Sequence, residues 1–261
     1  MIIATHGIIA SQLAGFDADA QAFFDRVTTA GGSLSATEKS AVNTLVLDLK
    51  GYSIWSKMKA IYPMVGASAA ACAQNLKSSS FTGTFNGGWT YASTGVTPNG
   101  TNGYMNTGLN AASNLSQNST HIASYIRTSS QGILLGIDFA HRLWIAPNFN
   151  GTAKYVQINN SNAAALTPIS NSVGLWLGSR ISSTAEKLYY NNTTDTTKSA
   201  NSTGIDNGNI FISCRNDGGN PASFSSAQCA FASIGDGLSD TEASNFYTAV
   251  NSFQVSLSRN V

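Results

Sequence analysis

The spacing of apolar residues changes along the chain, and the change divides it. In residues 17–32, DADAQAFFDRVTTAGG, Ala20, Phe23, Phe24 and Val27 recur every three or four positions behind a capping Asp17, and Gly31-Gly32 ends the run. The following SATEKSAVNTLVLDLK opens with a capping box, Ser35 and Glu38, and carries a stripe of Val42, Leu45, Val46 and Leu49. Gly51 interrupts, and Ile54, Trp55, Met58, Ile61 and Tyr62 prolong the stripe as far as Pro63. This predicts a helical N-terminal region over residues 1–65, led by an extended arm at 1–15.

Beyond GASAAACAQ the period falls from about 3.6 residues to about 2. HIASYIRT (121–128), GILLGIDF (132–139), HRLWIAPNF (141–149), TAKYVQIN (152–159), VGLWLGSRI (173–181), EKLYYN (186–191) and NIFISCR (209–215) read as strands separated by Gly, Asn, Pro and Ser clusters. Many short strands of this kind predict a mostly β, two-sheet antiparallel sandwich over residues 66–238. At 239–261 a second capping box, Ser239 and Glu242, starts a helix striped with Ala243, Phe246, Val250, Phe253 and Leu257. That stripe fits packing on the sandwich or on the N-terminal helices, and its a/d spacing also fits pairing with a second copy.

Composition narrows the function classes. Charged residues are 10% of the chain, against about 25% in an average soluble domain, and Ser, Thr, Asn and Gly take their place. The net charge is +1 with no basic run, so nucleic acid is not expected as a partner. Apolar runs are shorter than a membrane span, and the opening MIIATHGIIASQLAG lacks a basic leader, so neither membrane insertion nor a secretory signal is expected. Cys72, Cys214 and Cys229 are odd in number and widely spaced, which fits buried thiols.

Catalytic patterns are missing. Glycoside hydrolysis needs two carboxylates aimed at one groove. In the sandwich region Asp138, Glu186, Asp195, Asp206, Asp217 and Asp236 include no pair two residues apart. The pairs with that spacing, Asp17/Asp19 and Asp240/Glu242, sit in helix first turns, where they complement the dipole. No nucleophile elbow, phosphate loop or zinc-protease helix occurs. No catalytic residue and no cofactor is assigned. Neither Asp138 nor Asp206 has the acidic company that a tight calcium site needs, so no metal is expected.

One constellation stands out. His121, Tyr125 and Arg127 alternate with Ile122 and Ile126; Arg142 and Trp144 with Leu143 and Ile145; Tyr155 and Gln157 with Val156 and Ile158; Trp176 and Arg180 with Leu175 and Leu177. If these strands share a sheet, one face is aliphatic and the other collects Tyr, Trp and Arg. Such a face fits an anionic-glycan platform. It equally fits a protein interface, or cross-strand packing beneath the C-terminal helix.

The stretch FNGGWTYASTGVTPNGTNGYMNTGLN (85–110) combines tight-turn residues with Trp89, Tyr91 and Tyr104. Pro98-Asn99-Gly100 and Asn102-Gly103 read as positive-φ turn positions, and Trp89 and Tyr91 as sharing a sheet face. Through Asn99, Gly100, Gly103 and Tyr104 this stretch resembles the first strands of the concanavalin A-like lectin/glucanase superfamily, in its laminin-G-like branch. LYYNNTTDTT, NIFISCRNDGG and FASIGDGLSDTEASNFYTAV resemble later parts of the same jelly roll, including its closing strand, Gly-Leu-Ser turn and helix. From the DADAQAFFDRV helix onward the chain is also similar to laminin-G-like proteins of bacteriophages. The resemblance implies a non-enzymatic virion structural protein, such as a capsid decoration, head fibre or tail appendage. It would assemble in the host cytoplasm, be exposed on the particle as a homo-oligomer, and dock on other virion proteins through its N-terminal region. A host-surface glycan is the ligand this implies; a free lectin and a polysaccharide depolymerase are the alternatives. On this view, removing residues 1–62 leaves a soluble sandwich.

Overall fold

The computed structural model describes residues 15–151, 153–162, 165–166 and 172–261. The arm expected at 1–15 lies outside these, apart from Gly15. Both early helices form where the apolar stripes place them. The Asp17 carboxylate accepts the Asp19 N–H at 2.9 Å to cap α1 (Ala18–Thr29). Ser35 and Glu38 close a reciprocal capping box on α2 (Ala36–Gly51).

The stripe beyond Gly51 is not helix, which corrects the expectation from spacing. After a short 3₁₀ turn, Met58–Tyr62 forms strand β1. It pairs antiparallel with the late strand Cys229–Gly235, and a bulge falls between Met58 and Ala60. The bulge puts Met58 and Ile61 on one face and Ala60 and Tyr62 on the other, so a bent strand mimics helical spacing.

The remaining elements follow in order: α3 (Ala69–Cys72), β2 (Thr84–Asn86), β3 (Trp89–Ala92), β4 (Gly95–Pro98), β5 (Tyr104–Asn110), α4 (Ala111–Asn114), β6 (Thr120–Ile126), β7 (Leu135–Asp138), β8 (Arg142–Ala146), β9 (Tyr155–Asn160), β10 (Gly174–Arg180), β11 (Ala185–Tyr190), β12 (Thr193–Ser199), β13 (Asn209–Ile212), β14 (Arg215–Asp217), β15 (Asn220–Ala222), β16 (Cys229–Gly235) and α5 (Asp240–Ser256). The first sheet runs β12-β11-β10-β6-β16-β4-β3, with β1 also on β16. The second runs β15-β14-β7-β13-β5-β2, with β8 on β7 and β9 on β8. Pairing is antiparallel except for β14 on β7.

Asn99 makes the turn between β4 and β5, its Oδ1 accepting the N–H groups of Thr101, Asn102 and Gly103 at 3.0 Å each. Gly100 takes the positive φ of 75°. Gly103 does not; it is small because Pro98 and the Gly88 carbonyl lie against it. Trp89 and Tyr91 share a face as expected, both edge-on to Phe85 at 4.9 and 5.1 Å.

Two cores sit in three layers. Between the sheets, Ile122, Ile126 and Ile234 of the first sheet meet Leu135, Ile137, Leu143 and Ile158 of the second. On the first sheet's outer side, Tyr125, Leu175, Leu177 and Phe231 meet Phe23, Leu45, Leu49, Phe246 and Phe253 of α1, α2 and α5. Every residue of β6, β10 and β16 is therefore buried. The helices form a third layer packed on the sandwich. A buried Arg259 fastens the end of this layer, donating to the carbonyls of Met64, Pro63 and Ala230 at 2.8–3.1 Å. The three cysteines are free and buried, as their spacing indicated.

Deleting residues 1–62 removes β1 with α1 and α2 and bares the apolar side of the first sheet. The expected product is aggregated or binds a hydrophobic dye, lacking a cooperative melt. A soluble, cooperatively melting fragment would show instead that the helical layer is dispensable.

Candidate functional site

Helices cover the first sheet's outer face, whereas no helix among the described residues packs on the second sheet's outer face. Across it, six strands are in register along one row: Thr84, Asn106, Phe211, Gly136, Trp144 and Gln157. These residues point outward because their neighbours Met105, Ile212, Ile137, Ile145 and Val156 are committed to the core. Tyr104 lies over Phe211, with ring centroids 4.8 Å apart. At the other end Phe149 stacks on Trp144 at 5.8 Å and Tyr155 tilts against it at 5.3 Å. Gly136 separates the two aromatic groups, where a side chain would strike Trp144.

Charge lies alongside this row. The Asp138 carboxylate contacts Arg142 Nε at 3.5 Å and Arg215 Nη1 at 3.3 Å, and Arg215 Nη2 meets Asp217 at 2.8 Å. Asp138 and Asp217 are partners in register with Arg215 bridging them. Trp144 and Phe211 are buried beneath the half-buried rings of Tyr104, Phe149 and Tyr155, and these three rings with two guanidinium groups held by carboxylates suit stacking on a sugar ring and donating to its oxygens. Neither acid considered for calcium is idle. Asp138 is engaged as described, and Asp206 accepts the N–H groups of Phe139, Ala140 and His141 at 2.6–3.0 Å.

The nine residues singled out in the sequence do not form one face. The condition that their strands share a sheet fails, since β6 and β10 belong to the first sheet and β8 and β9 to the second. Arg142, Trp144, Tyr155 and Gln157 do come together, on the open face. His121, Tyr125 and Arg127 lie under the helical layer and the C-terminal residues. His121 is buried beside Phe246, with Nδ1 2.6 Å from the Asp236 carbonyl and Nε2 3.1 Å from the Ser233 hydroxyl. Burial pushes its pKa down to about 4. The Tyr125 hydroxyl accepts the Val261 N–H, and Arg127 donates to the Arg259 carbonyl at 2.7 Å.

Trp176 points into the sandwich, stacked on Tyr190 at 4.4 Å, and its Nε1 donates to the Ser172 carbonyl. Arg180 is fully buried and closes the free edge of β9. Its Nε donates to the Ile158 carbonyl at 2.6 Å and its Nη2 meets Glu186 at 3.2 Å, while Glu186 accepts the Ile158 N–H at 2.7 Å. Lys198 completes the group, 3.0 Å from Glu186 and 3.2 Å from the Val156 carbonyl. Charged side chains from the first sheet thereby satisfy backbone groups on the edge of the second.

Tyr104, Phe149, Phe211, Arg215 and Asp217 were not among the residues singled out for the site. The alternation Ile210, Phe211, Ile212 held the signal for Phe211. The Arg215–Asp138 contact depends on a parallel pairing, β14 on β7, that strand patterns do not encode.

No family model matches the chain, and no curated protein matches it in sequence. Solved structures do resemble it. Domain 4 of AbnA, an extracellular GH43 arabinanase of Geobacillus stearothermophilus solved with arabinotriose, is similar with a TM-score of 0.53 at 14% identity, over 73% of this chain and 98% of that one. The Trypanosoma rangeli sialidase solved with sialic acid is similar with a TM-score of 0.50 at 8% identity, over 78% of this chain but 38% of the enzyme. The botulinum neurotoxin serotype D binding domain reaches a TM-score of 0.49 at 12% identity, over 75% of this chain and 52% of that one. At such identities the first two likenesses establish a shared β-sandwich fold.

Two substitutions test the placement of residues away from the open face. Because the folded pKa of His121 lies below its ordinary 6.5, its contribution to stability is complete above about pH 6.5 and is lost as pH falls through about 4. Urea unfolding is expected to show roughly 3 kcal/mol less pH-dependent loss over that window for His121→Gln than for the unaltered protein. Arg180→Ala takes one of two cationic partners from the buried Glu186 and leaves the Ile158 carbonyl unpaired, and is expected to cost about 3–5 kcal/mol in the same measurement at neutral pH. A change below about 1 kcal/mol, typical of exposed ion pairs, would refute the edge closure.

Proposed function

We propose that the protein is a non-enzymatic carbohydrate-binding β-sandwich whose ligand lies along the outer face of the second sheet. What carries this is the row from Tyr104 and Phe211 to Trp144 and Tyr155, flanked by Arg142 and Arg215, on a sheet face without a helical cover. The arabinotriose-bound domain of the same fold supports a sugar as the ligand class. Asp138 and Asp217 are the acids that oppose each other here, and both are tied to Arg215. Their role is to hold the guanidinium, and hydrolysis is not part of the function.

The finer form of the proposal is a bacteriophage virion protein displayed in several copies, so that a weak site gains hold on a host glycan through avidity. It is supported by the resemblance to phage laminin-G-like proteins. The apolar stripes of α1 and α2 are spent within the chain, so attachment to a particle falls to other surfaces. The exposed side of the helical layer, with Leu47 50% and Val255 52% exposed, is available for that role.

A glycan array probed with the purified protein should give a defined set of bound oligosaccharides. Tyr104→Ala and Arg215→Ala should each weaken that binding roughly tenfold or more while leaving the melting curve near that of the parent. Undiminished binding by both variants would place the site elsewhere, and release of reducing ends from a bound polysaccharide would make the protein an enzyme.

A further inference from the structure

Two polar side chains on the open face are buried and unsatisfied. Gln157 is 0% exposed and Trp144 3%. Neither atom of the Gln157 amide has a hydrogen-bond partner, nor does the Trp144 indole Nε1. The two residues are register partners on β8 and β9, so the unpaired groups belong to one spot on the sheet. Interior polar groups are nearly always paired, and each exception calls for a physical reason. Within the same face Arg142, Asp138 and Asp217 have charged partners, and Arg215 is paired through both Nη atoms, although its Nε has none.

The surroundings define what would complete them. Phe149 and Tyr155 wall the Trp144 ring, and Ile133 and Ala146 add aliphatic surface. The unmet groups are an indole N–H donor, an amide N–H₂ donor and an amide carbonyl acceptor. A guest must therefore bring a strong acceptor, an N–H donor and a small apolar part. A sugar hydroxyl supplies donor and acceptor on one atom but has nothing for the apolar wall. An acetamido group supplies all three separately.

We propose that Trp144 and Gln157 form an acetamido-reading subsite, which makes the preferred ligand a glycan containing an N-acetylated amino sugar. This rests on the carbohydrate-binding function proposed above and names the sugar class. The acetamido carbonyl accepts from Trp144 Nε1 and Gln157 Nε2, its N–H donates to Gln157 Oε1, and its methyl group packs on the Phe149 and Ile133 side. The half-buried Phe149 ring swings off Trp144 to admit it. A site whose polar groups are left unpaired by the wrong ligand discriminates more strongly than one that only lacks a contact.

The test is calorimetric titration of the full chain with chitotriose, the N-acetylglucosamine trimer, and with cellotriose, its glucose counterpart. Chitotriose should bind at least roughly tenfold more tightly. Gln157→Leu should erase that preference, whereas Tyr104→Ala should weaken both sugars and keep it. Gln157→Leu should also unfold at equal or higher urea concentration than the parent, because it removes an unpaired buried amide. Should that variant fail to fold, Trp144→Phe tests the indole donor by the same loss of preference, and a preference that survives it overturns the subsite. Equal binding of the two trimers, or a preference that survives Gln157→Leu, overturns the subsite and leaves the carbohydrate-binding function standing. Binding of neither trimer, with other glycans bound on an array, overturns the subsite alone; no glycan bound at all overturns both.

Discussion

Strands β6, β10 and β16 are apolar on both sides, and this fixes the rest of the architecture. A sheet with one apolar face needs one cover; these strands need two. The second sheet supplies one through Leu135, Ile137, Leu143 and Ile158, and the helices supply the other through Phe23, Leu45, Phe246 and Phe253. With both sides of the first sheet's central strands sealed, the broad helix-free sheet surface among the described residues lies on the far side of the second. Where this molecule can meet a large ligand is thus a consequence of where its apolar residues must go.

The open face is held in shape from behind. Its strand β9 ends the β7-β8-β9 arm, and its free edge is closed by Arg180, Glu186 and Lys198 reaching across from the first sheet. A bare edge would invite pairing with another chain and leave the position of Gln157 loosely set. Burying charges in this way carries a desolvation cost, offset here because the guanidinium, carboxylate and ammonium groups satisfy one another and the backbone together. Gly136 contributes differently, by letting β8 approach β7 closely and so aligning Phe211 and Trp144 in one row.

The helices and most strands were legible in the sequence because capping residues and a clean period make local signals. Ser35, Glu38, Ser239 and Glu242 behave as they read. Strand β1 was not, because a bulge gave Met58 and Ile61 the spacing of a helix. The candidate face was half legible. Alternation separates the two sides of a strand but does not say which side meets water, and it fails where both are buried. Trp176 and His121 were misassigned for that reason: on β10 the aliphatic set faces the helices while Trp176 faces the sandwich, and on β6 the helices cover the His121 side. Arg142, Trp144, Tyr155 and Gln157 lie together because their strands are neighbours. Which sheet each strand joins is a long-range property, and no single segment carries it.

The outer face of the first sheet's central strands is sealed, and the proposed ligand lies on the outer face of the second sheet. Hydroxyl-radical footprinting, read residue by residue with and without a bound oligosaccharide, addresses this arrangement directly. Tyr104, Phe149 and Tyr155 should be oxidised in the free protein and protected by the ligand, while Tyr125, Phe231 and Phe246 stay unreactive throughout. Oxidation of Tyr125 and Phe231 in the folded protein, or ligand protection confined to the helical layer, would contradict it.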